Sequence, residues 1–199
     1  TVQLYGNTFK AGIYPLSKVR QTLLYYMHIQ TLISEEKICR RVTELGQKIT
    51  ADHRGRDLYV VAILHGAMVF AADLIRQIDL PLTLDIMFAA SYDGMNSGEL
   101  KYLTGPNNNL HERDVLIVDD ILDTGQTLVT ALRHFRVRGA RSVKTCVLLD
   151  KPARRNHDIR ADYFGFRIKN EFIVGYGLDL NGRYRNLPSI GIPIPKGHK

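Results

Sequence analysis

Apolar runs and amphipathic stretches alternate through the middle of the chain, and the alternation predicts its elements. Leu58 to Leu64 and Val115 to Val118 are uninterrupted and rich in β-branched residues, the pattern of strands buried on both faces of a parallel sheet. Leu82 to Ala90 and Ser142 to Leu149 read as two further strands. Elsewhere the period is helical. Glu35 to about Ala51 keeps Ile38, Val42, Leu45 and Ile49 on one side, with Ser34 as N-cap and Glu35 and Glu36 in the first turn. The turn from His65 to Met68 leads into a helix carrying Val69, Phe70, Ala72, Leu74 and Ile75. Leu128, Val129, Ala131, Leu132 and Phe135 define another, running to about Arg138 and stopped by Gly139. Strands alternating with helices from 58 to 149 predict an α/β fold, a mainly parallel twisted sheet flanked by helices.

The two ends of the chain read differently. Tyr5-Gly6-Asn7 and Tyr14-Pro15 mark turns or a loop, and Leu16 to Ile29 reads as a helix with Val19, Leu23, Tyr26 and Met27 on its apolar side. After Asp162, Tyr163 to Phe166 and Phe172 to Tyr176 read as short strands with no helix between them, expected to form a small hood over the carboxyl edge of the sheet. A Pro-rich, partly extended tail follows. The expectation is one domain, with a core over about 35–160 and a hood from about 161–199, to which part of 1–33 is open to belong.

Composition narrows the class. With 199 residues, 45% hydrophobic and 24% charged, the chain can bury a sizeable core and is not of a disordered type. No apolar run reaches the roughly 18 residues needed to span a bilayer, and the start does not read as a signal peptide, so no membrane partner is expected. Cys39 and Cys146 lack metal-ligand spacing and point to a reduced, cytoplasmic setting. The net charge of +7 fits a polyanionic partner, but Arg133, Arg136, Arg138, Arg141, Lys151, Arg154 and Arg155 are dispersed. No nucleic-acid-binding motif accompanies them, so a charged small substrate is expected instead of nucleic acid.

Candidate chemistry concentrates after the Val115 strand. Asp119 and Asp120 end it, Asp123 follows, and Thr124 to Thr127 opens the next helix. Backbone N–H groups at a helix N-terminus attract phosphate, and Gly125 allows close approach. Asp119 and Asp120 offer acceptors for sugar hydroxyls or a hydrated Mg²⁺. Asp123 is open to two readings, a base facing the same ligand or the helix N-cap. Ligands sit beyond the carboxyl ends of strands in such units.

The stretch VLIVDDILDTGQTL resembles the phosphoribosyl-pyrophosphate (PRPP) signature of the type I phosphoribosyltransferases, and the likeness to their hypoxanthine-guanine branch covers roughly 33–188. That resemblance implies transfer of the 5-phosphoribosyl group from PRPP to N9 of a 6-oxopurine, with Mg²⁺ as cofactor, in purine salvage. It implies that Asp119, Asp120, Asp123, Thr124, Gly125, Gln126 and Thr127 bind PRPP and that Asp123 is the general base. His65, Gly66 and Arg185 would bind pyrophosphate, the first two in a loop with a strained peptide before its glycine. The family commonly has Lys or Arg where His65 stands, and often Glu where Asp119 stands. Ser91 and Tyr92 match a flexible loop that closes over PRPP. Lys151, Phe172, Ile173 and Asp179 match the purine site, Lys151 donating to O6 and Phe172 stacking. Asp119, Asp120 and Asp179 are the metal ligands so implied, and a homodimer or homotetramer is expected. Two other readings are a PRPP- or nucleotide-sensing regulatory module that binds RNA or DNA, and a receiver-type signalling domain with an acidic Mg²⁺ pair. The order among hypoxanthine, guanine and xanthine stays open.

Overall fold

Ser34 begins the first helix as its sequence dictates. In the computed structural model, which describes residues 2–4, 7–9, 27–89, 100–102 and 110–195, Ser34 is extended and its Oγ accepts from the N–H of Lys37 at 3.4 Å. Helix α1 (Glu35–Asp52) then buries Ile38, Val42, Leu45 and Ile49, the predicted stripe.

The main sheet has six strands in the order β6-β5-β4-β7-β8-β9. They are β4 (Leu58–Leu64), β5 (Leu82–Ala89), β6 (Leu100–Tyr102), β7 (Asp114–Leu122), β8 (Ser142–Asp150) and β9 (Tyr163–Arg167). All pairs are parallel except β5 with the edge strand β6. The uninterrupted apolar runs lie at the centre, and their period of two separates two cores. On one face Val60, Ala62, Leu116 and Val118 pack with α1 and with Phe70 and Leu74 of α2 (Met68–Ile75). On the other, Tyr59, Val61, Ile63, Val115 and Ile117 pack with Leu128, Ala131 and Phe135 of α3 (Gln126–Val137). Each fully buried Leu, Ile or Phe in these layers contributes roughly 1.5–3 kcal/mol, so the two helical faces together secure the sheet.

Four differences from the sequence reading have local physical causes. Strand β7 does not stop at Val118. It continues through both carboxylates because β8 keeps pairing with it, Asp119 opposite Val147 and Leu122 opposite Asp150. Tyr163 to Phe166 belongs to β9 in the main sheet, not to a hood, since the segment after β8 crosses back and pairs parallel with it, Cys146 opposite Tyr163. Arg41 of α1 fixes that edge by donating to the carbonyls of Phe164 at 2.8 Å and Gly165 at 3.0 Å. Phe172 to Tyr176 is not a strand and makes only isolated bridges, Val174 to Gly191 and Gly175 to Leu178. The end of the expected 16–29 helix is instead strand β3 (Met27–Ile33), paired antiparallel with β10 (Ile190–Pro195). His28 to Thr31 alternates polar with β-branched residues, and the tail supplies a partner.

The rest of that expected helix and the loop that carries Ser91 and Tyr92 lie outside the described residues. At the start of the chain β1 (Val2–Leu4) and β2 (Asn7–Phe9) form a short antiparallel pair around the sequence Tyr5-Gly6. Among the described residues no helix is long and apolar enough to cross a membrane. Cys39 and Cys146 are free thiols, the first exposed and the second buried.

Candidate active site

The carboxyl end of β7 carries two adjacent aspartates in a place that disfavours their charge. Asp119 is buried, and Asp120 is half-buried. Asp119 Oδ1 accepts from the N–H of Asp120 at 2.9 Å, and Asp120 Oδ1 from that of Ile121 at 2.8 Å. Neither carboxylate forms an ion pair with a described residue. Burial, and then the Asp120 charge, push Asp119 well above the usual carboxylate range. Burial raises Asp120 as well, against its hydrogen bonds and the field of Arg185. Such a pair favours a cation.

The turn between β4 and α2 lies directly on it. A Cβ on Gly66 would fall 1.6 Å from Asp120 Oδ2, so glycine lets this backbone lie against the carboxylate where it stands. The Leu64–His65 peptide bond is cis, at the place where the resemblance expects an unusual peptide. The His65 ring is exposed and meets Phe88 edge-on, centroids 5.1 Å apart, and makes no ion pair with a described residue.

The turn that opens α3 is built around Gly125, whose φ of 94° is left-handed and whose absent Cβ would sit 2.6 Å from Ile159 Cγ2. The first intrahelical bond runs from Val129 N–H to Gly125 at 3.0 Å, and Gln126 N–H is 3.4 Å from Thr124 Oγ1. The N–H groups of this first turn project from the helix end, as an anion site requires. Because Gly125 takes the N-cap position, the N-cap reading of Asp123 does not hold. Asp123 Oδ2 instead lies 3.1 Å from Arg154 Nη1, and its Oδ1 is buried with no hydrogen-bond partner among the described residues.

Arg155 holds this turn in place, a role that sequence reasoning missed by counting it among dispersed charges. Its guanidinium donates to the carbonyls of Asp123 at 2.9 Å, Leu122 at 3.1 Å and Ile159 at 2.5 Å, and pairs with Asp150 at 2.5 Å. The signal was present in Asp150 and Arg155 flanking Pro152, an ion pair folded back across a turn. Asn156 N–H adds a bond to the Thr124 carbonyl at 3.0 Å.

Lys151 is only 6% exposed, and its ammonium has no hydrogen bond to a described residue. Its N–H donates to Leu122 at 3.0 Å, so it stands beside the same turn. Phe172 is 57% exposed, which sets aside a core role, while Ile173 beside it is buried. Asp179 pairs with Arg185 at 2.6 Å and accepts from Gly182 N–H at 2.7 Å. Arg185 also donates to the Gly177 carbonyl at 2.5 Å, and a Cβ on Gly177 would lie 2.3 Å from the Gly66 carbonyl oxygen. Gly66, Asp120, Gly177, Asp179 and Arg185 are thereby drawn into one place. Ser91 and Tyr92 lie outside the described residues.

Among the described residues no three His, Cys, Asp or Glu side chains form a metal cage, so Asp119, Asp120 and Asp179 do not make one by themselves. Paired hard oxygen donors that lack a cation fit Mg²⁺, which is usually held by one or two carboxylates together with substrate oxygens.

The sequence profile described as phosphoribosyl transferase domain matches residues 28–181. The chain is 44% identical to a hypoxanthine-guanine phosphoribosyltransferase of Bacillus subtilis over 168 residues, 83% of this chain and 93% of that one. It is 47% identical over 169 residues to a bifunctional protein TilS/HprT of Listeria innocua, covering 84% of this chain and 26% of that longer protein's length. A crystal structure of a hypoxanthine-guanine phosphoribosyltransferase of Bacillus anthracis superposes with a TM-score of 0.77 at 43% identity, over 84% of this chain and 99% of that one. A hypoxanthine phosphoribosyltransferase of Staphylococcus aureus gives 0.78 at 39% identity, over 91% and 97%.

Proposed function

The chain belongs to the phosphoribosyl transferase family, and from that premise we propose that it transfers the 5-phosphoribosyl group of PRPP to N9 of a 6-oxopurine, hypoxanthine or guanine, releasing pyrophosphate and giving IMP or GMP in purine salvage. The observation that carries the reading is the end of β7, where the buried Asp119 and half-buried Asp120, without an ion pair among the described residues, stand beside the glycine-built N-terminus of α3. The names of the relatives support it, and none of them supports a regulatory module. The receiver-type reading has no support there either.

In this reading the N–H and hydroxyl groups of Thr124 to Thr127 bind the 5′-phosphate, and Asp119 and Asp120 hold the ribose hydroxyls. Asp119 and Asp120, with Asp179 nearby, would hold Mg²⁺ together with substrate oxygens, and the ion would supply positive charge against the charge that develops on the departing pyrophosphate. Arg185 and the His65-Gly66 backbone bind that pyrophosphate. The buried Oδ1 of Asp123, which has no partner among the described residues, supports its assignment as the base that takes the N7 proton. Lys151, whose ammonium has no hydrogen bond to a described residue, donates to O6 of the base; an ammonium suits a carbonyl and mismatches the amino group of adenine. The exposed ring of Phe172 stacks on the purine, and Ile173 contributes backbone contacts. Ser91 and Tyr92 close over PRPP, excluding water from the reacting carbon. The free thiols support a reducing, cytoplasmic setting, and a homodimer or homotetramer is part of the proposal, measurable by sedimentation.

Nucleotide formation from PRPP and Mg²⁺, with hypoxanthine, guanine, xanthine and adenine offered separately, tests the proposal and ranks the bases. Product from 6-oxopurines but not adenine is expected. No product from any of the four overturns it.

A further inference from the structure

The contact between the turn after β4 and the loop after Ile173 is built from unusual backbone. Tyr176 has a φ of 50°, left-handed and costly for a bulky side chain. Gly177 follows at 95°, with the Gly66 carbonyl where its Cβ would be. The Tyr176 N–H donates to Leu187 at 2.8 Å and that of Gly177 to Arg185 at 2.9 Å, which fixes the loop from behind. In front, the Tyr176 hydroxyl donates to Asp73 Oδ2 at 2.6 Å. Asp73 lies on α2, the helix that continues directly from the His65-Gly66 turn, and it also pairs with Arg76. One chain of contacts therefore runs from Ile173 through Tyr176 and Gly177 to Gly66 and on to Asp120.

We propose that Tyr176 and Asp73 are positioning residues that tie the purine segment at Phe172-Ile173 to the pyrophosphate turn at His65-Gly66, so that purine and PRPP each strengthen the other's binding. The inference rests on the assignment of those two segments made under the proposed function. The clasp joins residues 103 apart in sequence, neither of them assigned to a substrate contact. Its physical effect is on relative placement. When purine orders the 172–177 loop, Tyr176 and Gly177 hold α2 and Gly66 in the arrangement that meets pyrophosphate, and the reverse holds by linkage.

The test uses PRPP with Mg²⁺ and 9-deazahypoxanthine, a base analogue with carbon in place of N9, so that both sites fill without turnover. Calorimetry gives the PRPP dissociation constant with and without saturating analogue, for the wild-type chain, Tyr176→Phe and Asp73→Asn. Coupling of about 5-fold or more is expected in the wild type and less than about 2-fold in Tyr176→Phe. The affinity for PRPP alone should stay within about 2-fold. Asp73→Asn keeps an acceptor for the hydroxyl and should retain part of the coupling. A structural role alone would lower the melting temperature and leave the coupling ratio unchanged. An equal ratio in wild type and Tyr176→Phe overturns the clasp while leaving the proposed function standing. A wild-type chain that binds neither probe overturns both.

Discussion

At the amino end of β7, Asp114 is fully buried and meets Arg56 at 3.3 Å, Arg141 through both of its oxygens and the Ser142 hydroxyl at 2.6 Å. At the carboxyl end of the same strand, Asp119 is buried too, but its neighbour is another carboxylate, and no described cation pairs with either. The consequences for charge are opposite. The Arg141 guanidinium, ahead of all else, holds Asp114 far below the usual carboxylate range, while burial pushes Asp119 far above it. The amino end satisfies its buried polar group within the protein. The carboxyl end leaves the demand open for something that binds. A buried group that the fold does not satisfy marks function better than burial or charge alone.

Asp123 at the functional end gives the sharpest way to break the comparison. Asp123→Asn should lower turnover by roughly 10²–10⁴-fold, the usual range for loss of a general base. Its melting temperature should stay close to that of the wild type, since Oδ1 has no partner among the described residues and the half-exposed Arg154 pair on Oδ2 is worth only about 0–1 kcal/mol. Initial rates and scanning calorimetry read the two effects separately. Undiminished turnover would remove the base assignment.

Asp114→Ala should behave in the reverse sense. It leaves Arg56 and Arg141 without their shared anion, at a cost of about 3 kcal/mol in chemical denaturation, moderated because both guanidinium groups are half exposed. Turnover of the folded fraction should be unchanged. The pH dependence follows from the depressed value. Stability from Asp114 is fully present above the unfolded carboxylate value of about 3.9 and is lost as pH falls through the lower folded one. The stability gap between wild type and Asp114→Asn should therefore be constant at neutral pH and narrow below about pH 4. A gap that is the same at pH 3 as at pH 7 would contradict the ion-pair account.

Legibility in the sequence followed the range of the interactions. The apolar runs of β4 and β7 and the stripe of α1 are patterns within one element, and they read correctly. Tyr163 to Arg167 and Ile190 to Pro195 are strands because of partners elsewhere, Cys146 to Asp150 and Met27 to Ile33, and nothing local announces which sheet each joins. The same holds within the site. The acidic turn and Gly125 were visible because a strand, a turn and a helix start are contiguous. Arg155 and the Tyr176–Asp73 clasp were not, because their roles lie in tertiary hydrogen bonds to backbone and to a distant helix. The continuation of β7 through its carboxylates also escaped notice, since polar residues end a strand unless its neighbour keeps pairing.

The smallest stability effect bears most directly on the contrast between the two ends. Asp119 is raised, so its contribution favours the folded state below the ordinary carboxylate value and is lost as pH rises through the folded one. At neutral pH the raised Asp119 therefore opposes folding. Asp119→Asn keeps an oxygen for the Asp120 N–H and removes the charge. The deciding measurement is the melting temperature of Asp119→Asn and of wild type without Mg²⁺ or PRPP at pH 7.5, alongside turnover with both. The expected result is a variant that melts higher than wild type, with turnover lower by roughly 10²-fold. A variant that melts lower while turning over normally would contradict the account, making Asp119 a structural carboxylate like Asp114.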